Sequence, residues 1–524
     1  MRTMERGVAA LVAALVAISP APRANAAQWH EARIADFVLV TDGKEEYARR
    51  TLREFAVFKQ ALGALAPLTR TVPRMPTQVF ALDSGTWRSF APSRQIAGFF
   101  SPRAEANYIV FDRTPTGLSS REVVYHEYMH YVLHNGSDMP LPPWWSEGVA
   151  EVFSSLSEHD GKIDFGLIPR ARKDEFGYFE LMPTSVLFGF DRDSPEFRQH
   201  SLPPMFYPQA WLTAHFFLIG RPERGRQAQH YLRAIAEDTP VPQAVQAAFG
   251  MSIDELDEEI RAYRCEGRIR GYRLTLGTPL PDAKAVLIKP LPEPVALARL
   301  ALAGLALGRD TGEAEQRALR ALQLDPALPL ASAALADVRF HQERDSEALD
   351  LARKVPAGDP EAAVAAGRVQ WQLVDRALRP RQRRAGSEAT TEELIDAALS
   401  QDQGRREPSA GEIATLQEAR RLLLPLADNP DRGLEANLVI VDIDELLRDR
   451  APEVRLAAIQ PAVGRYPTHA ELALAEARAC AELGRRAAAI ASASRAARYA
   501  RSPALRRWIE GWIADLEAAT GASR

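Results

Sequence analysis

Just before its first quarter ends, the chain reads His126-Glu127-Tyr128-Met129-His130, and shortly afterwards Leu141-Pro142-Pro143-Trp144-Trp145-Ser146-Glu147-Gly148-Val149-Ala150-Glu151. Ser119 and Glu122 stand at the spacing of a capping box. Val123, Val124, Met129 and Val132 supply apolar faces, and Asn135-Gly136 is a helix stop. These signals predict one helix over roughly Ser120 to His134. Four positions make a little over one turn, a rise of about 6 Å, so His126 and His130 leave the same face and their imidazoles can converge on one ion. Glu127 lies beside that face, within reach of a water on the ion but not as a ligand. Two surface histidines on a solvated helix would share this spacing, so the second stretch decides.

That stretch supplies a third ligand. Catalytic zinc takes three protein ligands and keeps a position open for water. Glu147, 17 positions after His130, starts a second short helix that can pack beside the first. Glu151 follows one turn later on the same side, suited to accept the free ring N–H of a zinc-bound histidine. An exposed helix glutamate is the other reading of that position. Zn²⁺ on His126, His130 and Glu147 would polarise a carbonyl and acidify a water, with Glu127 as the general base.

With both stretches on the page, the sequence resembles the gluzincins, in which HExxH is followed by W-x-x-E-G-x-A. More closely, it is similar to bacterial peptidase MA-like domains, which pair HEYxH with P-x-W-x-x-E-G-x-A-E. The resemblance covers roughly Trp29 to Arg264. It includes an F-Y-x-Q-x-W helix, here Phe206-Tyr207-Pro208-Gln209-Ala210-Trp211, and Ala248-Phe249-Gly250 before the amphipathic stretch Ile253 to Tyr263. It implies an α+β zincin-like (gluzincin) domain, with a small sheet above the HExxH helix and an edge strand along the cleft. The implied activity is zinc-dependent hydrolysis of a peptide or protein substrate. It also implies that Tyr207, 60 positions after Glu147, stabilises the oxyanion; a core tyrosine on a packed helix is an equal alternative. Where the aminopeptidase branch has G-x-M-E-N, this chain has Gly98-Phe99-Phe100-Ser101-Pro102, so no amine-reading carboxylate is evident and a standard aminopeptidase is not expected. His134, another full turn on, is read as a helix-end histidine complementing the dipole; His215, two turns after Tyr207, is read as a packed or surface residue, with a place in the cleft as the alternative.

Outward from these motifs, the chain is 524 residues long with Lys+Arg 65 and Asp+Glu 69, a net charge of −4. No segment is basic enough to neutralise a row of phosphates, so nucleic acid is not expected as a partner. Two cysteines exclude a disulfide framework and a Cys-based zinc site. Arg2 and Arg6, the apolar run Gly7 to Ile18 and Ala24-Asn25-Ala26 predict a signal peptide over residues 1–26, hence an exported protein, periplasmic or secreted, without a stable membrane span.

Residues 27–271 read as the metallopeptidase-like domain. Strands are expected from Ala35 to Val40, Thr77 to Leu82, Ile96 to Phe100 and Tyr108 to Phe111, and a helix from Glu45 to Ala64. Residues 272–294 read as a proline-rich linker. From 295 to 524 the composition turns to Ala, Leu and Arg at helical spacing, with Glu313-Ala314, Ala318 and Asp325-Pro326 recurring 34 positions later as Glu347-Ala348, Ala352 and Asp359-Pro360. This half resembles tetratricopeptide repeats, which implies an all-α solenoid of four to six helix pairs whose concave face would receive a protein partner or an extended substrate. Residues 380–410 read as a polar insertion. Because repeat units contact mainly their neighbours, a chain cut near Pro290 is expected to keep a folded first domain. Two other functions remain open from sequence: a binding scaffold whose zinc domain is structural or inactive, and a zinc amidase acting on a cell-wall component.

Overall fold

Short runs of alternating or branched apolar residues build the first half of the chain. β1 (Trp29–Ile34) and β2 (Phe37–Thr41) form a hairpin ahead of α1 (Glu45–Leu65). β3 (Thr77–Leu82), the single turn α2 (Ser84–Trp87), β4 (Gly98–Pro102) and β5 (Asn107–Asp112) lead into α3 (Ser119–Gly136) and α4 (Pro143–Ser154). The strands β6 (Ser157–His159) and β7 (Lys162–Phe165) are followed by α5 (Thr184–Gly189), α6 (Phe206–His215), α7 (Pro222–Ala236), α8 (Val241–Phe249) and α9 (Ile253–Cys265). β8 (Tyr272–Leu274) pairs with β7 in a small antiparallel sheet, and β9 (Leu287–Leu291) joins the main one. These elements belong to a computed structural model that describes residues 28–65, 75–91, 98–114, 119–137, 139, 141–173, 180–191, 202–266, 269, 271–379, 405–500 and 503–521. The expected signal peptide and residues 380–404 of the expected insertion lie outside this set.

The main sheet has the order β4-β5-β3-β2-β1-β9. β2, β3 and β5 run parallel, and the outer pairings are antiparallel. Period-2 alternation divides its side chains between two faces. Phe37, Leu39, Val79, Ala81, Ile109 and Phe111 share a core with α1 and α3. Val40, Phe80, Leu82 and Val110 belong to a second core with Trp29, Trp87 and Phe90.

What covers that second face is the helical half. α10 (Glu293–Ala306), α11 (Thr311–Leu324), α12 (Pro329–His341), α13 (Asp345–Arg353) and α14 (Pro360–Leu378) pack in sequence, followed by α15 (Ala410–Leu423), α16 (Gly433–Leu447), α17 (Pro452–Arg465), α18 (Ala470–Glu482), α19 (Arg486–Tyr499) and α20 (Pro503–Gly521). Ala314 and Ala318, and their counterparts Ala348 and Ala352, are all buried at helix crossings. The paired aspartates do different work: Asp359 caps α14 through the amides of Glu361 and Ala362, whereas Asp325 closes a turn onto Ala327.

Ala296, Leu300, Ala303 and Leu307 complete the second core. Arg299 reaches from α10 to Glu31 on β1 at 2.5 Å and to Glu361 on α14 at 2.8 Å, and Arg33 pairs with Asp431 at 2.6 Å. Burial opposes ionisation of Glu31, but Arg299 and Arg33 outweigh it and hold its carboxyl at about 2.

Two sequence expectations change accordingly. The stretch 272–294 is not a plain tether, since it supplies β8 and β9, and Pro290 is accommodated because β9 is an edge strand. Nor is the first half walled off from the second, because they share a core. The coarse layout is an N-terminal α/β region with a mixed sheet, then an all-helical region. Among the described residues, no helix is long and apolar enough to cross a membrane.

Candidate metal site

Helix α3 buries Val124, Tyr125, Tyr128, Met129, Tyr131 and Val132, with Tyr125 stacked on Phe58 of α1 at 3.8 Å. His126, Glu127 and His130 are each only partly buried, as residues off that apolar face should be. The side chains of Ser119 and His134 are outside the described residues. Glu122 accepts a hydrogen bond from the Arg170 amide at 3.4 Å, a contact beyond the expected capping box.

Helix α4 starts with Pro143 at its first position, where no N–H is needed. Trp144 stacks on Phe188 at 4.3 Å and anchors it. Gly148 faces α6 so closely that a Cβ would stand 2.2 Å from the Ala210 carbonyl oxygen. This backbone-to-backbone contact brings α4, with Glu147, against α6, with Tyr207. Gln209 fixes the start of α6 by accepting from the Met182 amide at 2.9 Å and donating to the Met182 carbonyl at 2.8 Å.

The three expected ligands converge. His126 Nε2 and His130 Nε2 are 3.1 Å apart, and Glu147 Oε2 lies 3.1 Å from the first and 3.2 Å from the second. Around a tetrahedral ion with bonds of roughly 2.0–2.1 Å, ligand atoms are separated by about 3.3 Å, so this triangle needs to open by only a few tenths of an ångström. Among the described residues it is the one group of three or more His, Cys, Asp or Glu side chains able to share an ion. Two imidazole nitrogens and a carboxylate oxygen form a donor set suited to zinc. A proton binds here too. Burial opposes the charge on His126, but its hydrogen bond to Glu147 and the carboxylates of Glu151, Glu147 and Glu127 overcome this and push it up to about 9. Burial likewise opposes ionisation of Glu147, and the two histidines overcome it, holding the carboxyl well below the usual range.

Each histidine also has a partner on its far nitrogen. Glu151 Oε1 approaches His126 Nδ1 at 3.6 Å, and Ser146 Oγ is 3.1 Å from His130 Nδ1. Glu151 is itself buried and accepts from Arg172 Nη2 at 2.7 Å and Nε at 3.1 Å, while the same guanidinium lies 4.9 Å from the centre of the Tyr207 ring. Burial first, then the charge of Glu147, pushes the Tyr207 hydroxyl up to about 12, with Glu151 and Glu127 adding to the effect and Arg172 opposing it. Tyr207 is therefore in electrostatic reach of all three carboxylates and keeps its proton at neutral pH. Glu127 has no hydrogen-bond or ion-pair partner among the described residues, yet its charge is felt by both His126 and Tyr207.

Sequence reasoning missed Ser146 and Arg172. Ser146 precedes Glu147 directly and could have been found from the helix geometry. Arg172 sits in the short turn Arg170–Arg172, in a loop with no periodicity to mark it. His215 is fully buried, its Nδ1 2.8 Å from the Tyr263 hydroxyl. The chain matches no family model and no curated protein.

Proposed function

We propose that the chain is a zinc-dependent hydrolase of peptide bonds, a metallopeptidase of gluzincin type, with His126, His130 and Glu147 holding the metal. The observation that carries the reading is the near-equilateral triangle of two imidazole nitrogens and one carboxylate oxygen, beside a carboxylate that takes no part in it. Zinc bound there would supply Lewis acidity to the scissile carbonyl and lower the pKa of a water toward about 7.

The protein's own groups do the rest. Glu127, partly exposed and without a competing partner, takes the proton of the attacking water and returns it to the leaving amine. Tyr207, still protonated, donates a hydrogen bond to the oxyanion that develops. Glu151 and Ser146 hold the two imidazoles in orientation, and Arg172 holds Glu151.

The test combines metal content with cleavage. The purified chain should bind about one zinc. His126→Ala and His130→Ala should lose it, while Glu151→Gln should keep it with affinity or activity down by about 10–100-fold. Chelator should stop the cleavage of an unfolded protein substrate and added zinc should restore it. Stoichiometric zinc in both histidine variants would refute the ligand assignment.

A further inference from the structure

The β4–β5 hairpin joins the candidate site to the helical half. Its turn closes with the Arg103 amide donating to the Ala106 carbonyl at 2.9 Å. At the tip, the Ala104 carbonyl lies 2.7 Å from His469 Nε2. His469 is the N-cap of α18, and its Nδ1 accepts from the Leu472 amide at 3.5 Å. Glu471 Oε2 also lies 3.2 Å from Nδ1, and because the Ala104 carbonyl can only accept, Nε2 is the donor of the contact at the tip.

Two more contacts come from the same half. Arg309, between α10 and α11, lies 4.9 Å over the ring of Phe99 on β4. Glu105 faces Glu435 of α16 and Arg368 of α14, whose charges act on it in opposite directions. α10 packs on the sheet, Arg317 of α11 lies over the Phe90 ring, and Leu434 of α16, Ala462 of α17 and Leu472 of α18 join the first core, so part of this surface is occupied by the chain's own first half.

At the other end of the connection, β4 is the edge strand and packs on α3. The Phe100 ring stands 5.7 Å from Tyr128 and 5.5 Å from Tyr131, the residues that follow Glu127 and His130. One short strand therefore connects the hairpin tip to the helix that carries both histidines.

We propose that the helical half is an intramolecular brace: its sheet-facing surface grips the β4–β5 hairpin and sets where β4 lies against α3. This rests on the hairpin contacts and is independent of whether zinc is bound or peptide cleaved. It also assigns that surface an occupant within the chain, where the repeat pattern alone suggested a receptor for a partner.

Amide hydrogen exchange in the full-length chain tests it. His469→Asn keeps a good N-cap for α18 but is too short to reach Ala104. Exchange should rise about fivefold, the effect of one hydrogen bond, in β4 and β5 and also in residues 128–133 of α3, while residues 473–482 of α18 keep their protection. Arg309→Ala, which leaves α18 untouched, should give the same pattern in β4 and α3, and it decides the matter if the first variant loosens α18. Faster exchange confined to residues 103–106 in both variants, or unchanged exchange in α3 in both, overturns the brace.

Discussion

At the scale of single residues, a proton would compete with the proposed zinc ion for the triangle of His126, His130 and Glu147. His126 holds its proton up to about pH 9, against an ordinary value of 6.5. If zinc is the ligand it must displace that proton, so its affinity should climb about tenfold per pH unit as pH rises toward about 9 and then level off. The stability of the zinc-free chain should move the other way. A raised histidine value contributes stability that is fully present below 6.5 and is lost as pH rises through about 9. Thermal melts across this range, with chelator and with zinc, check both signs; an affinity for zinc that is flat from pH 6 to 9 would contradict the hydrogen-bonded pair. The histidine pair was legible because it depends only on helical spacing, and Glu147 was found through the separate Trp145-Ser146-Glu147-Gly148 stretch on the next helix. Arg172 was not, because its approach to Glu151 is set by a loop fold that no local pattern encodes.

At the scale of elements, the contact between α4 and α6 matters most. Gly148 is required by proximity to Ala210 and by no special backbone angle, since it lies within a helix. Gly148→Ala should cost about 1–3 kcal/mol or more by overpacking and should displace Tyr207 from Glu147. Chemical denaturation would measure the first effect, and reduced zinc retention without loss of secondary structure would report the second. An alanine variant as stable as the parent would mean that the helices are less tightly apposed. The long periodic elements α1 and α3 were readable from sequence to within a few residues, and the helical character of the second half from its small-residue recurrence. β1 was not: the sequence suggested a strand starting at Ala35, where the chain actually turns with φ +50° between β1 and β2. β9 is five residues with a proline, and its pairing with β1 spans more than 250 positions, so nothing local announces it.

At the scale of the whole molecule, the two halves depend on each other. Removing residues 293–524 would uncover Trp29, Phe80, Phe90 and Val110 and leave the fully buried Glu31 carboxylate without Arg299. Arg33 and Lys289 would still pair with Glu31, so the bared sheet face is the larger cause of destabilisation. The fragment 28–292 is therefore expected to bind hydrophobic dyes and to lack a sharp melting transition, contrary to what repeat character alone implies. A cooperative melt near that of the full chain would show that the shared core is dispensable.

The reading of the whole chain as a catalyst turns on Glu127, which stands beside the triangle of His126, His130 and Glu147 without entering it. Glu127→Gln removes the base and leaves His126, His130 and Glu147 intact. Zinc content and melting temperature should stay at the parent values while hydrolysis of a protein substrate falls by at least about 10²-fold. Cleavage by this variant at the parent rate, with zinc still bound, would contradict the proposed mechanism.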